Sequence, residues 1–197
     1  MEKLYTSSPR KIAKNIKEIE KSADIKIKVQ GSQVEIKGSP VGEYEARKII
    51  EALEFGFKLR DALKLTDENI AFRKLPIKQF THRKKLEEVR GRVIGREGKT
   101  KRTVEEVSGC AVVVHDSQVG LIGPAEGIEE ATTALINLIK GSKQANVYRF
   151  LERMNVAKRE KPVFKKKTRE DYRKEKEDEI EEELEEAIED KQPITFK

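Results

Sequence analysis

The sequence predicts an α+β fold of two similar halves followed by a charged C-terminal tail. Three observations carry this. Apolar spacing switches between the period of a helix and that of a strand along residues 9–155. The order of elements in the first 65 residues recurs between residues 70 and 140. Beyond that the composition changes: residues 157–169 hold 7 Lys/Arg against 1 Asp/Glu, and residues 170–197 hold 5 against 13. The divisions predict domains over 1–66 and 67–156 and a tail over 157–197, basic and then acidic.

Taken in order, residues 9–22 place Ile12, Ile16 and Ile19 at helical spacing. Residues 24–30 and 33–37 alternate strictly, as two strands joined at Gly31-Ser32. After Ser39-Pro40, residues 41–56 form a helix with Ala46, Ile49, Ile50 and Leu53 on one face, and a short helix follows near 58–65. This half reads α-β-β-α, with no clear strand ahead of its first helix. Residues 70–80 read as a strand that Pro76 confines to a sheet edge. Helices follow at 82–93 and 99–108, the second ended by Gly109. Residues 110–115 and 118–122 make a hairpin around Asp116-Ser117. A helix from Pro124 to Lys140 buries Ile128, Ala131, Leu135, Leu138 and Ile139. One more helix, over 144–155, packs on this half through Val147, Tyr148 and Leu151. The second half is β-α-α-β-β-α, and the first looks like a degenerate copy of it. In the tail, Ile180, Leu184 and Ile188 recur every four residues, as on a solvated helix, within a charge density typical of disorder.

The chemistry concentrates between the helices at 82–93 and 99–108, in Gly95-Arg96-Glu97-Gly98. Two glycines at this spacing let the backbone turn tightly and approach a ligand. The helix after them offers free N–H groups and a positive dipole end. Charge agrees with the place: residues 71–102 hold 12 basic and 3 acidic side chains in a chain of net charge +6. This is the pattern of a type I KH domain, a module that clamps about four nucleotides of single-stranded RNA. In that reading the loop N–H groups and the Arg96 side chain meet phosphates, and Glu97 points outward. Arg92, Lys99, Thr100, Lys101 and Arg102 complete the RNA-contacting stretch. Val93, Ile94 and one of Val112 or Val114 floor a groove for bases. The plainer alternatives are an ordinary helix–helix turn and apolar residues that are simply core.

Gly98-Lys99-Thr100 also matches the end of a phosphate-binding P-loop, but that motif needs its first glycine at Val93, after a buried strand. The residues ahead of it are helical and charged, so nucleotide hydrolysis is not expected. His82 and His115 are the only histidines and Cys110 the only cysteine, too few for a zinc set. His82 reads as a surface or RNA-facing residue, His115 as a solvated partner of Asp116, and Cys110 as a small buried residue. No catalytic residue, metal or cofactor is expected. The lone cysteine excludes an intramolecular disulfide framework, and no apolar run approaches the roughly 20 residues of a membrane span. The N-terminus lacks the apolar stretch of a signal peptide, so the expected location is cytoplasmic.

One resemblance is more specific than the KH pattern. Gly91-Arg92, Gly95, Gly98-Lys99-Thr100-Lys101 and Thr103-Val104-Glu105 are similar to the second KH domain of the Partner of Nob-one, or Dim-two, family in its archaeal form. Val119-Gly120-Leu121-Ile122-Gly123, Ala134 to Gly141 and Val147-Tyr148-Arg149 add to the match. Tyr5-Thr6 and the hairpin over 25–37 resemble the family's first domain, which can lack the glycine loop. A related assembly factor, the Krr-one type, usually replaces the glycine loop that is intact here. The resemblance spans about 5–155. It implies a non-enzymatic factor of small ribosomal subunit maturation that binds single-stranded RNA near the 3′ end of small-subunit ribosomal RNA through Arg92 to Arg102. It implies two protein partners as well: the endonuclease that trims that end, and the alpha subunit of translation initiation factor two. The rival readings are a general KH regulator of messenger RNA and a protein-binding scaffold that works through its charged tail.

Overall fold

The computed structural model describes residues 2–160. The tail from residue 161, with the helix expected through Ile180, Leu184 and Ile188, lies outside the described residues. Residues 1–158 pack as one unit.

The alternating segments form strands and the helical periods form helices. The first half contains β1 (Glu2–Tyr5), α1 (Pro9–Ala23), β2 (Ile25–Gln30), β3 (Gln33–Gly38) and α2 (Pro40–Phe55). A short α3 (Leu59–Ala62) and one 3-10 turn (Leu63–Thr66) follow. Strand β1 corrects the sequence reading, which saw no clear strand before the first helix. Its four residues are too few to show a period, and its pairing with β3 supplies what the pattern lacks (Glu2 opposite Ile36, Tyr5 opposite Gln33). The helix expected at 41–56 starts one residue earlier, at Pro40, where the Ser39 hydroxyl accepts a hydrogen bond from the Gly42 N–H at 3.1 Å.

The second half contains β4 (Ile70–Pro76), α4 (Leu86–Ile94), α5 (Lys99–Ser108), β5 (Ala111–His115), β6 (Gln118–Pro124), α6 (Ala125–Lys140) and α7 (Gln144–Glu160). Pro76 stands at the end of β4, an edge strand as expected. Several boundaries move. The strand expected over 70–80 ends at Pro76, since Ile77–Gln79 form a 3-10 turn. Helix α4 begins at Leu86 rather than 82, because Thr81 to Lys85 form no helix. Helix α7 continues through Glu160, past the expected start of the tail.

Both sheets are antiparallel and share one topology, with the third strand in the middle: β1-β3-β2 and β4-β6-β5. They differ in what covers them. In β2 and β3 burial alternates, so one face rests on α1 and α2 and the other meets solvent. In β6, residues 119–123 are all buried. Val119 and Leu121 belong to an apolar cluster with Val93, Val104 and Leu135, whereas Ile122 belongs to the cluster of the first half with Leu53 and Phe57. The first half therefore packs on the back of the second sheet, and α4, α5 and α6 cover its front.

Aromatic rings fill the seam. The Phe55 and Phe57 centroids are 5.9 Å apart, and Phe72 meets each of them edge-on at 5.9 and 5.6 Å. A Cβ at Gly120 would lie 2.5 Å from the Phe55 ring and 2.8 Å from the Phe57 ring, so β6 accepts them only because residue 120 has no side chain. Burying a Phe stabilises by about 1.5–3 kcal/mol, so the seam is a main source of cohesion between the halves. Gly120→Ala should overpack this contact and lower stability by about 1–3 kcal/mol. In a thermal melt that corresponds to a fall in Tm of roughly 2–4 °C per kcal/mol.

Candidate nucleic-acid interface

The glycine loop is built by helix ends. Helix α4 closes where the Gly95 N–H donates to the Gly91 carbonyl at 2.8 Å. Arg96 to Gly98 make one 3-10 turn, with the Gly98 N–H donating to the Gly95 carbonyl at 3.2 Å. Gly95 and Gly98 both have φ of 75°, in the left-handed region that favours glycine. Glu97 shares that region at φ 54° and is exposed. At Gly95 space matters too, because a Cβ would collide with the Thr100 side chain.

Thr100 explains why the loop is tied down. It is 1% exposed, and its hydroxyl shares a 2.9 Å hydrogen bond with the Tyr148 hydroxyl of α7. The Gln144 amide donates to the same hydroxyl at 3.2 Å. Thr100 was expected in the RNA-contacting stretch. Its burial makes it a positioning residue instead, one that fixes the turn from beneath. Arg102 is exposed, and its guanidinium donates to the Glu97 carbonyl and braces the turn.

The remaining cations divide by direction. Arg96 and Lys99 are exposed on the turn and at the start of α5, and neither forms an ion pair among the described residues. Lys101 pairs with Glu105 at 3.2 Å, and Glu105 in turn accepts the Val112 N–H at 2.9 Å. Ile94 is 37% exposed beside the loop. Val93 is buried in the core of the second half; Val112 belongs to the same core and also lines the groove floor. Val114 is only partly buried.

A groove of about 570 Å3 runs between α5 and β5. Lys101 and Glu105 line one side and Cys110 to Val113 the floor. Strand β5 is a sheet edge, so alternate backbone groups face the groove. Its far wall comes from the first half and carries Lys58, Arg60 and Lys64, with Asp61 between them. The sequence reading missed that wall. Its only signal was three basic residues in the short segment 58–64, and nothing in their spacing brings them to β5. The histidines fall as expected: His82 is exposed, and His115 lies 3.5 Å from Asp116 with both largely in solvent. Cys110 is buried. Among the described residues no helix is long and apolar enough to cross a membrane, and no group of three or more His, Cys, Asp or Glu is placed to hold a metal.

Residues 72–156 match the model of the second KH domain of PNO1, described as a eukaryotic type KH-domain of type I. The structure is similar to a crystal structure of Dim2p from Pyrococcus horikoshii, with TM-score 0.68 and 33% identity, covering 78% of this chain and 99% of that one. The chain belongs to the PNO1/Dim2 family. A second Pyrococcus horikoshii structure, of a complex of a/eIF2alpha, aDim2p and rRNA, matches with TM-score 0.69 and 33% identity over 79% of this chain and 94% of that chain. A KH domain-containing protein of Methanocaldococcus jannaschii is 32% identical over 144 residues, 70% of this chain and 63% of the relative. Several relatives are named RNA-binding or pre-rRNA-processing proteins PNO1, and the chain spans about half their length.

The tie beneath the loop is open to test. In a cycle of Thr100→Val, Tyr148→Phe and the double variant, urea denaturation should show a coupling of about 0.5–1.5 kcal/mol. Strictly additive losses would mean that the two hydroxyls do not support each other.

Proposed function

We propose that this chain is a non-enzymatic RNA-binding factor of small ribosomal subunit maturation. It binds single-stranded ribosomal RNA near the 3′ end through the loop and groove of its second half. The observation that carries this reading is the exposed glycine turn, with Arg96 and Lys99 in solvent, at the head of the helix that walls a groove against the open edge of β5. The exposed cations suit phosphates, and a groove with a strand edge suits unstacked bases. The Dim2p relative in complex with rRNA supports the choice of RNA.

The first half is read as a KH-like domain without its loop. Its sheet order, β1-β3-β2, repeats the β4-β6-β5 order of the second half. A single helix, α1, stands between β1 and β2, where the second half has α4, the glycine loop and α5. On this reading KH-like domains span 1–66 and 67–156, and a charged tail follows. The same relative supports the alpha subunit of initiation factor two as a protein partner. The trimming endonuclease is a partner on the family resemblance alone.

The test is RNA binding by fluorescence anisotropy at one stated salt concentration. The probe is a single-stranded oligonucleotide from the 3′ end of small-subunit ribosomal RNA, set against a scrambled one. The double change Arg96→Asp with Glu97→Asp keeps both glycines and places two acids in the turn. Wild type should prefer the ribosomal sequence, and the double change should weaken its binding by roughly ten-fold or more, since a charged phosphate contact is lost and repulsion is added. Equal binding of both RNAs by both proteins would remove the loop as the reader and favour a scaffold acting through its charged tail.

A further inference from the structure

A second concavity lies beside the glycine loop, between the end of α4 and the start of α7. It holds about 490 Å3 and is lined by Arg92, Gly141, Ser142, Lys143 and Gln144. Arg83, ahead of α4, reaches the same place. The position that a Cβ would occupy at Gly141 lies 3.1 Å from Arg92 Nη1 and 3.6 Å from Arg83 Nη2. Two guanidinium groups thus converge on the space left by a missing side chain, close enough for one tetrahedral anion to touch both.

The charges there are not balanced from within. Arg83 meets one carboxylate, Glu88, through its other terminal nitrogen at 3.9 Å, with both side chains half-exposed. Such an exposed pair holds the guanidinium only loosely. Arg92 and Lys143 form no ion pair among the described residues. Like charges gathered this closely repel, and an anion between them relieves the repulsion. The guanidinium fork matches the oxygens of a phosphate. The concavity is also fixed relative to the glycine loop, because the Gln144 amide donates to the Arg92 carbonyl at 3.5 Å and to the Thr100 hydroxyl beneath Gly95.

We propose that Arg83, Arg92 and Lys143 form a phosphate-binding site, filled by a backbone phosphate of the same single strand that the glycine loop holds. The strand's footprint then extends past the four or so nucleotides of a lone KH clamp. The inference rests on the RNA-binding reading above.

The experiment compares wild type with Arg83→Gln/Lys143→Gln, using the full chain. Both side chains are exposed, and equal urea midpoints confirm intact folding. A four-nucleotide RNA and ten-nucleotide RNAs extended from it at either end are titrated at several salt concentrations. The double variant should bind one of the long RNAs roughly ten-fold more weakly than wild type and bind the short RNA equally well. Its slope of log affinity against log salt should be smaller by about 0.7, one phosphate contact. Unchanged affinity for both long RNAs, with short-RNA binding still weakened by the Arg96→Asp/Glu97→Asp change, overturns this site and leaves the loop reading intact. Short-RNA binding that ignores the loop change overturns both. Inorganic phosphate is also titrated alone against wild type. If it saturates the site while the double variant binds long RNA normally, the ligand is a free anion and the strand assignment is wrong.

Discussion

The structure depends on β6 being covered on both faces. Its front contributes Val119 and Leu121 to the core beneath α4, α5 and α6, and its back contributes Ile122 to the core of the first half. Gly120 makes the second contact possible by leaving room for the Phe55 and Phe57 rings. Once those rings are seated, Lys58, Arg60 and Lys64 follow directly along the chain and are carried to the edge of β5. The groove thus owes one wall to an aromatic contact on the opposite face of its own sheet. Two modules on a flexible linker would not hold such a wall in place.

The second constraint is local. Gly95 sits on the buried Thr100, and Thr100 is bound to Tyr148 and Gln144 of α7. Helix α7, outside the β-α-α-β-β-α unit, therefore sets the position of the loop. Arg102 also holds the turn, through the Glu97 carbonyl. Of the basic cluster, some members build the turn and others face solvent. A turn held this way loses little conformational freedom when a ligand arrives, so less of the binding energy is spent on ordering it.

Much of this was legible in the sequence. The glycine spacing, the basic residues around it and the helix on either side located the loop, and alternation located the hairpin of the first sheet. Three things were not legible. Strand β1 is too short to show a period. Thr100 resembles its neighbours in sequence, and only the absence of a Cβ at Gly95 shows why it must be beneath the turn. The groove wall at 58–64 depends on a tertiary contact more than 40 residues distant in sequence, which no local pattern encodes. One signal was present and unused. Val119 to Gly123 is a continuous run without polar alternation, as expected of a strand buried on both sides. Read that way, it would have announced that something packs on the back of the second sheet.

The central claim is that the glycine turn and the β5 groove form the RNA-binding face. Backbone amide NMR of the isotope-labelled chain, titrated with the single-stranded ribosomal oligonucleotide, tests it most directly. The account predicts the largest shift changes at Gly95 to Lys99, along the groove-facing side of α5, and at Val112 to Val114. Changes confined to the open face of β2 and β3, or to residues beyond 160, would contradict it and place the RNA elsewhere on the chain.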